Sequence, residues 1–139
     1  MNAVDTNVLI YAHDTRYPAK RATAEALIQT LADVVLLWQV ACEYIAASRK
    51  LAPLGFSPEK AWQDIYRLQK LWNTQLPTWE ILRRAEELTK RYSFSSWDAL
   101  IIAACLEGGV TRLYSEDFDA SARGEGLEII NPFVTPESI

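Results

Sequence analysis

Three carboxylates stand in stretches of sequence that otherwise carry no charge. Asp5 is the only charged residue among the first thirteen. Glu43 is the only one between Asp33 and Arg49, and Asp98 the only one between Arg91 and Glu107. Burying a carboxylate is costly unless it is paired or binds a metal, and none of these three has a basic residue close by in sequence. A fourth candidate, Asp117, stands in the acidic run Ser115-Glu116-Asp117-Phe118-Asp119. Clustered oxygen ligands without His or Cys select hard cations such as magnesium or manganese. Like charges brought together without a cation repel, so a divalent ion is their natural partner.

Each of these residues has a competing use. Ser95-x-x-Asp98 also reads as a variant capping box. Asp5-Thr6-Asn7 also reads as the cap of a short helix from Val8 to Ala12, and for Thr6 that reading is preferred. Glu43 could be a solvated helix residue, although Gln39, Val40, Ala46 and Ala47 leave it only a narrow polar face. Asp119 or Glu116 could take the place of Asp117.

Other residue types offer less. Glu80/Arg84, Glu86/Lys90 and Glu87/Arg91 are spaced i,i+4 in the favoured order, so the basic cluster of Arg83, Arg84, Lys90 and Arg91 reads as a salt-bridged solvent face. His13, near Arg16, reads as an ordinary surface histidine. The five tryptophans read mainly as core, with Trp62, Trp72, Trp79 and Trp97 on apolar stripes or at helix starts. An exposed tryptophan or two would mark a protein interface.

The elements that must position the acids follow from the pattern. Asn2 to Val4 reads as a short strand that delivers Asp5 at its C-terminal end. Ala19 to Leu31 reads as a helix, Val34 to Leu37 as a strand buried on both faces, and Gln39 to Lys50 as the helix carrying Glu43. Ser57-Pro58 starts another helix, with Ala61, Ile65, Leu68 and Trp72 at helical spacing. Thr78 caps a helix whose stripe is Ile81, Ala85, Leu88 and Tyr92. Ser95 caps one from Trp97 to Leu106, stopped by Gly108-Gly109. Val110 to Tyr114 and Leu127 to Ile130 read as strands. Buried strands alternating with helices predict an open parallel α/β sheet, in which sites form at the C-terminal strand ends. Strands ending side by side there would bring Asp5 and Asp117 together, with Asp98 in the first turn of its helix aimed at the same spot.

Composition narrows the class. With 139 residues, half of them hydrophobic and 23% charged, the chain is expected to be one globular domain that folds without a disulfide or a structural metal. No apolar run reaches the roughly 18 residues of a membrane span, and the N-terminus lacks the features of a signal peptide. Cys42 and Cys105 are far apart in apolar contexts, which predicts two buried reduced thiols and a cytoplasmic location. A single histidine leaves no His/Cys zinc site, and no G-x-S-x-G elbow is present. A pI near 5.0 argues against binding nucleic acid through net charge, but leaves room for a local basic patch or a metal.

Taken in order, these stretches resemble the motifs of PIN-domain nucleases. Val4-Asp5-Thr6-Asn7-Val8-Leu9-Ile10-Tyr11-Ala12 is similar to the family's opening, and Gln39-Val40-Ala41-Cys42-Glu43-Tyr44 to its second acidic motif. Trp97-Asp98-Ala99-Leu100-Ile101-Ile102-Ala103-Ala104 looks like the third. Leu113-Tyr114-Ser115-Glu116-Asp117-Phe118 looks like the fourth, followed by Ile129-Ile130-Asn131-Pro132-Phe133. Nearly the whole chain is covered, as a single PIN domain over 1–139, and the nearest resemblance is to VapC-type toxins of toxin–antitoxin modules. It implies a three-layer α/β/α fold with a short, mostly parallel central sheet. It further implies a magnesium- or manganese-dependent endoribonuclease, usually a homodimer, held inactive by a cognate antitoxin.

The family's four acids map onto Asp5, Glu43, Asp98 and Asp117, with Asp119 as an alternative for the fourth and Thr6, Asn7 and Ser115 in support. Asp5, Asp98 and Asp117 would hold metal, and Glu43 would complete the site, help hold a second ion or orient the attacking water. A metal-activated water needs neither a histidine base nor the RNA 2′-hydroxyl, so a 5′-phosphate product is expected. An antitoxin helix could lie in an apolar groove near the site and set an Arg or Lys against the carboxylates. An RNA-processing or DNA-directed PIN nuclease would share the site. A receiver-type signalling domain would want paired acids after the first strand and a lysine after a late strand, and no lysine follows Lys90. A domain that keeps the fold with a dead site is disfavoured by the retention of all four acids.

Overall fold

In the computed structural model, residues 1–118 and 125–134 are described. Three strands pair in the order β1 (Asn2–Val4), β4 (Arg112–Tyr114), β5 (Glu128–Ile130), and two more pair as β2 (Val35–Leu37) with β3 (Asn73–Gln75). All three pairings are parallel, and a further parallel bridge from Asn2 to Val34 joins the two groups at β1 and β2. The sheet therefore runs β5-β4-β1-β2-β3. Its central strands are apolar because helices cover them. Ala3, Leu37 and Leu113 are fully buried, and Val35 and Leu36 nearly so.

Helix α1 (Thr6–Tyr11) follows β1 at once, and α2 (Pro18–Thr30) packs on it. Helix α3 (Trp38–Ala47) leaves the end of β2 and continues as a 3₁₀ helix, Ser48–Leu54, where Pro53 and the left-handed Gly55 end it. Helix α4 (Pro58–Leu71) buries Ala61, Ile65 and Leu68, and α5 (Trp79–Arg91) buries Ile81, Ala85 and Leu88, the stripes the spacing predicts. Ser57, Thr78 and Ser95 cap α4, α5 and α6 (Ser96–Glu107) through side-chain oxygens that accept backbone N–H bonds three residues on. Helices α1 to α4 pack among themselves and α5 pairs with α6, giving the two helical groups of the α/β/α arrangement. Helix α6 is apolar nearly all round because it is buried along most of its length, from Ala99 to Cys105.

Several expectations need correction. Strand β3 goes unread in the sequence because Asn73-Thr74-Gln75 is polar, as befits an edge strand facing water on one side. The helix expected to reach Lys50 tightens into the 3₁₀ turn after Ala47. Cys42 is exposed, so only Cys105 is a buried thiol, with burial pushing its pKa up. Trp38, Trp62, Trp79 and Trp97 are exposed, the last two by 72% and 67%. Trp38, Trp79 and Trp97 open their helices, too near the domain edge to reach the core. Trp62 sits beside the buried stripe of α4 and stacks on Tyr66 instead. Of the three expected i,i+4 ion pairs, Glu86–Lys90 forms. Arg84 instead crosses to Glu107 on α6, and Arg91 pairs with Glu125. His13 is no free surface residue: it stacks on Phe56 and bonds to Asp64.

Candidate active site

The C-terminal ends of β1 and β4 lie side by side, with the Asp5 N–H donating to Tyr114 O (2.9 Å). That places Asp5 against the turn that begins at Ser115. Asp5 caps α1, its Oδ1 accepting from the Thr6 N–H (2.7 Å), as the cap reading of this residue has it. Its Oδ2 accepts from the fully buried Ser115 hydroxyl (2.8 Å). No cation pairs with it among the described residues. Burial therefore pushes the Asp5 carboxyl up, the bonds from Ser115 and Thr6 pull it back, and the charges of Glu43 and Asp117 raise it again, leaving it above the usual carboxylate range.

Thr6 lies inside α1 rather than before it, and Asp5 is the cap. The Thr6 hydroxyl donates to Glu43 Oε2 (2.8 Å), fixing α3 to α1 at the site. Gln39, one turn before Glu43 on α3, donates to Glu43 Oε1 (2.9 Å) and to Trp97 O (3.3 Å), and so ties Glu43 to the start of α6. Its i,i+4 spacing to Glu43 was the available signal. Asn7 donates to Asp117 Oδ2 (2.9 Å) and to Ser115 Oγ (3.3 Å), while the Asp117 N–H donates to Ser115 Oγ (3.1 Å). Asp5, Glu43 and Asp117 are thus held by one network through Thr6, Asn7 and Ser115.

Asp98 joins differently. Its backbone N–H donates to Ser95 Oγ (3.1 Å), which is half of a capping box. Its carboxylate makes no hydrogen bond or ion pair among the described residues, and it shares a groove with Asp117, Phe94 and Phe118. Glu116, the alternative to Asp117, is engaged elsewhere by Tyr11 (2.6 Å) and Lys20 (2.9 Å). Asp119 lies outside the described residues.

The donors fit a hard cation in chemistry: carboxylate oxygens with amide and hydroxyl support, and no thiolate or imidazole. Among the described residues the buried Asn7 Oδ1 accepts no hydrogen bond, although the same side chain's amide group is fully used. Among the described residues, no three His, Cys, Asp or Glu side chains are gathered closely enough to hold one ion. The four acids border one region without forming a closed cage.

The fold and this acidic, cation-poor end of the sheet define a class. The PIN domain family model matches residues 3–125, and the chain belongs to that family. Solved structures agree in fold. VapC20 of Mycobacterium tuberculosis, a sarcin-ricin loop cleaving toxin, is 21% identical with a TM-score of 0.69 over 89% of this chain and 95% of that one. A toxin–antitoxin complex from Klebsiella pneumoniae gives 18% identity and a TM-score of 0.69 over 95% and 98%. The VapBC-1 structure from nontypeable Haemophilus influenzae gives 20% and 0.62 over 94% and 97%. No curated protein matches the sequence. PIN domains are nuclease domains that generally use divalent metals.

Proposed function

We propose that this chain is a divalent-metal-dependent endoribonuclease acting as the toxin of a toxin–antitoxin module. The observation that carries the reading is Asp5, a buried carboxylate tied by hydrogen bonds into a network with two other acids and matched by no cation among the described residues. Asp5, Asp98 and Asp117 would hold magnesium or manganese, with Glu43 completing the site or orienting water. The chemistry such an ion supplies is a nucleophilic water at neutral pH and neutralisation of charge at the leaving oxygen. The protein's own part is positional. Ser115 and the Thr6 N–H fix the two oxygens of Asp5, Thr6 and Gln39 hold Glu43, and Asn7 holds Asp117.

The toxin reading draws support from the likeness to toxins and their antitoxin complexes, and from the exposed tryptophans. Trp38, Trp79 and Trp97 line an apolar groove of about 510 Å³ between α3, α5 and α6. Gln39 lies in the wall of that groove and bonds to Glu43, so a segment seated there adjoins the acids. We place the antitoxin in this groove, where an Arg or Lys on it would supply the cation that Asp5 lacks. A homodimer and a cytoplasmic location belong to the same reading. No helix among the described residues is long and apolar enough to cross a membrane.

The test is cleavage of structured RNA by purified protein with magnesium, with manganese and with EDTA, run beside Asp98→Asn. Metal-dependent cutting that disappears in the variant supports the nuclease. Equal cutting by both proteins, or no manganese binding by calorimetry, overturns it.

A further inference from the structure

The two outer strands of the sheet differ. At one end of the order, β5 carries the exposed Glu128, which pairs with Arg112. At the other, β3 is Asn73-Thr74-Gln75, followed by Leu76 and Pro77. Among the described residues, nothing pairs with the side of β3 that faces away from β2. A bare edge strand is a template for another strand, and proteins usually block it with a charge or a proline. No charge and no proline stand from Leu71 to Leu76.

The surface beside this edge is apolar. Leu71 and Leu76, which flank the strand, are both exposed. A groove of about 460 Å³ between α3, α4 and β3 is lined by Trp38, Ile45, Trp62, Ile65, Tyr66 and Thr74, with no charged side chain among the described residues. Trp38, Trp62 and Tyr66 are each about half exposed. Rings of that size left half in water present roughly 300 Å² of apolar surface together. That is a large share of the roughly 800 Å² that each partner gives to a stable interface.

The strand complements its own copy. In an antiparallel pair, opposite residues exchange both backbone bonds, so a two-fold axis can pass through the pair. A register centred on Thr74 sets Asn73 opposite Gln75 and Trp72 opposite Leu76, each twice. It covers the exposed Leu76 with an aromatic ring, and such cross-strand pairs stabilise a sheet. The nearest charge, Lys70, falls opposite Thr78, so no like charges meet along the seam. We propose that two copies of this chain join edge to edge through β3, antiparallel about Thr74. One sheet then runs through both copies, with the aromatic faces of the two α4 helices brought together beside the seam. The homodimer belongs to the reading above, on which this inference rests; the edge, the register and the apolar face are what it adds. Strand β2 separates β1 and its Asp5 from β3, so each copy keeps its own acids.

The test is sedimentation equilibrium of the purified protein over a range of concentrations, followed by cross-linking. The native chain is expected at twice its 15.8 kDa. Thr74→Lys sets an ammonium group against its own copy at the two-fold axis and is expected to weaken the pair about fivefold or more. Thr74→Val should leave it intact. Tyr66→Ala, which counts once in each copy, is expected to weaken it about tenfold or more. The register is read by disulfide formation in a Cys42→Ser background. Thr74→Cys would face itself at a Cα separation of about 4.5–5.5 Å, within the span that a disulfide bridges, so mild oxidation is expected to link most of the protein in pairs. Lys70→Cys, at an exposed position well away from the two-fold axis, is expected not to link.

If the protein is a dimer that Thr74→Lys leaves intact, and Thr74→Cys links no better than Lys70→Cys, the two copies meet on another face. The β3 edge is then wrong, while the homodimer and the nuclease stand. A native chain that sediments as a monomer at every concentration overturns both the edge and the homodimer, and leaves metal-dependent cutting as support for the nuclease. If the native protein cuts nothing but Thr74→Cys links as expected, the nuclease reading falls and the edge-to-edge pair stands.

Discussion

Asp5 and Asp64 are both largely buried carboxylates that accept short hydrogen bonds, and they sit at opposite ends of α1's reach. Asp64, on α4 and 11% exposed, accepts from Tyr44 (2.8 Å), His13 (3.0 Å) and Arg67 (2.9 Å). Burial by itself would raise its pKa, but the bonds from His13, Arg67 and Tyr44 outweigh that and hold it at about 2. Asp14, 2% exposed, is likewise held low by Arg16. Asp5 has the burial and the hydrogen bonds but, among the described residues, no cation, and it is pushed up. A buried carboxylate with its own cation is a joint of the fold. One without a cation is an unfinished charge balance, and the completing charge must come from outside.

The sharpest way to break this comparison is to neutralise Asp5. Asp5→Asn keeps the shape and removes the unmatched charge. RNA cleavage is expected to fall by at least a hundredfold, since loss of groups that only support a metal already costs ten- to a hundredfold. Metal-free thermal stability should hold or rise, because the folded protein disfavours this charge. Calorimetric melts with and without manganese check both halves. A drop of several degrees in the metal-free melt would put Asp5 with Asp64 as a structural residue.

Asp64→Ala should do the reverse. It strands the buried Tyr44 hydroxyl and leaves His13 and Arg67 without their anion, at a cost of about 2–3 kcal/mol in a denaturant titration. Cleavage by the fraction still folded should persist at low temperature. The pH dependence has a definite sign. Asp64 is depressed below its unfolded value, so its contribution is full above about pH 4 and is lost as pH falls toward about 2. The acid limb of the stability profile should flatten over that window in Asp64→Asn. Thr6→Val is a smaller perturbation of the other region. Removing the hydroxyl that holds Glu43 should lower cleavage about tenfold with little change in stability.

The two regions were not equally legible in the sequence. Asp5, Glu43 and Asp98 stood out because an isolated charge in an apolar stretch breaks the pattern. Asp64 did not, because it lies among Lys60, Arg67 and Lys70 and looks like any solvated helix acid. Its burial depends on His13, fifty-one residues away, and on Tyr44, and no local pattern encodes that meeting. Strands and helix caps were legible where apolar runs and capping residues are local signals. Strand β3 was not, because an edge strand of Asn, Thr and Gln carries no apolar signature. The tryptophans were misread for a related reason: type predicts burial only when something covers the residue, and the chain alone leaves four of them exposed.

The finest test of the comparison is Glu116, which neighbours Asp117 in sequence yet has its own cation. Burial would raise its pKa, but the bonds from Tyr11 and Lys20 outweigh this and hold it below the ordinary value. By the rule drawn from Asp5 and Asp64 it belongs with the joints of the fold, even though it sits beside the acids in the same turn. Glu116→Gln keeps the shape and much of the contact with Tyr11. The lost ion pair is partly solvent-exposed, so the cost should stay below about 1 kcal/mol. Manganese affinity should be unchanged and cleavage should stay within about threefold of the native rate. A calorimetric titration decides it. A tenfold loss of manganese affinity would mean that the ion draws on Glu116 despite Lys20, and that a partner cation does not disqualify a carboxylate here. Unchanged affinity, set against its loss in Asp5→Asn, would leave the presence or absence of a cation as the feature that separates the two kinds of acid.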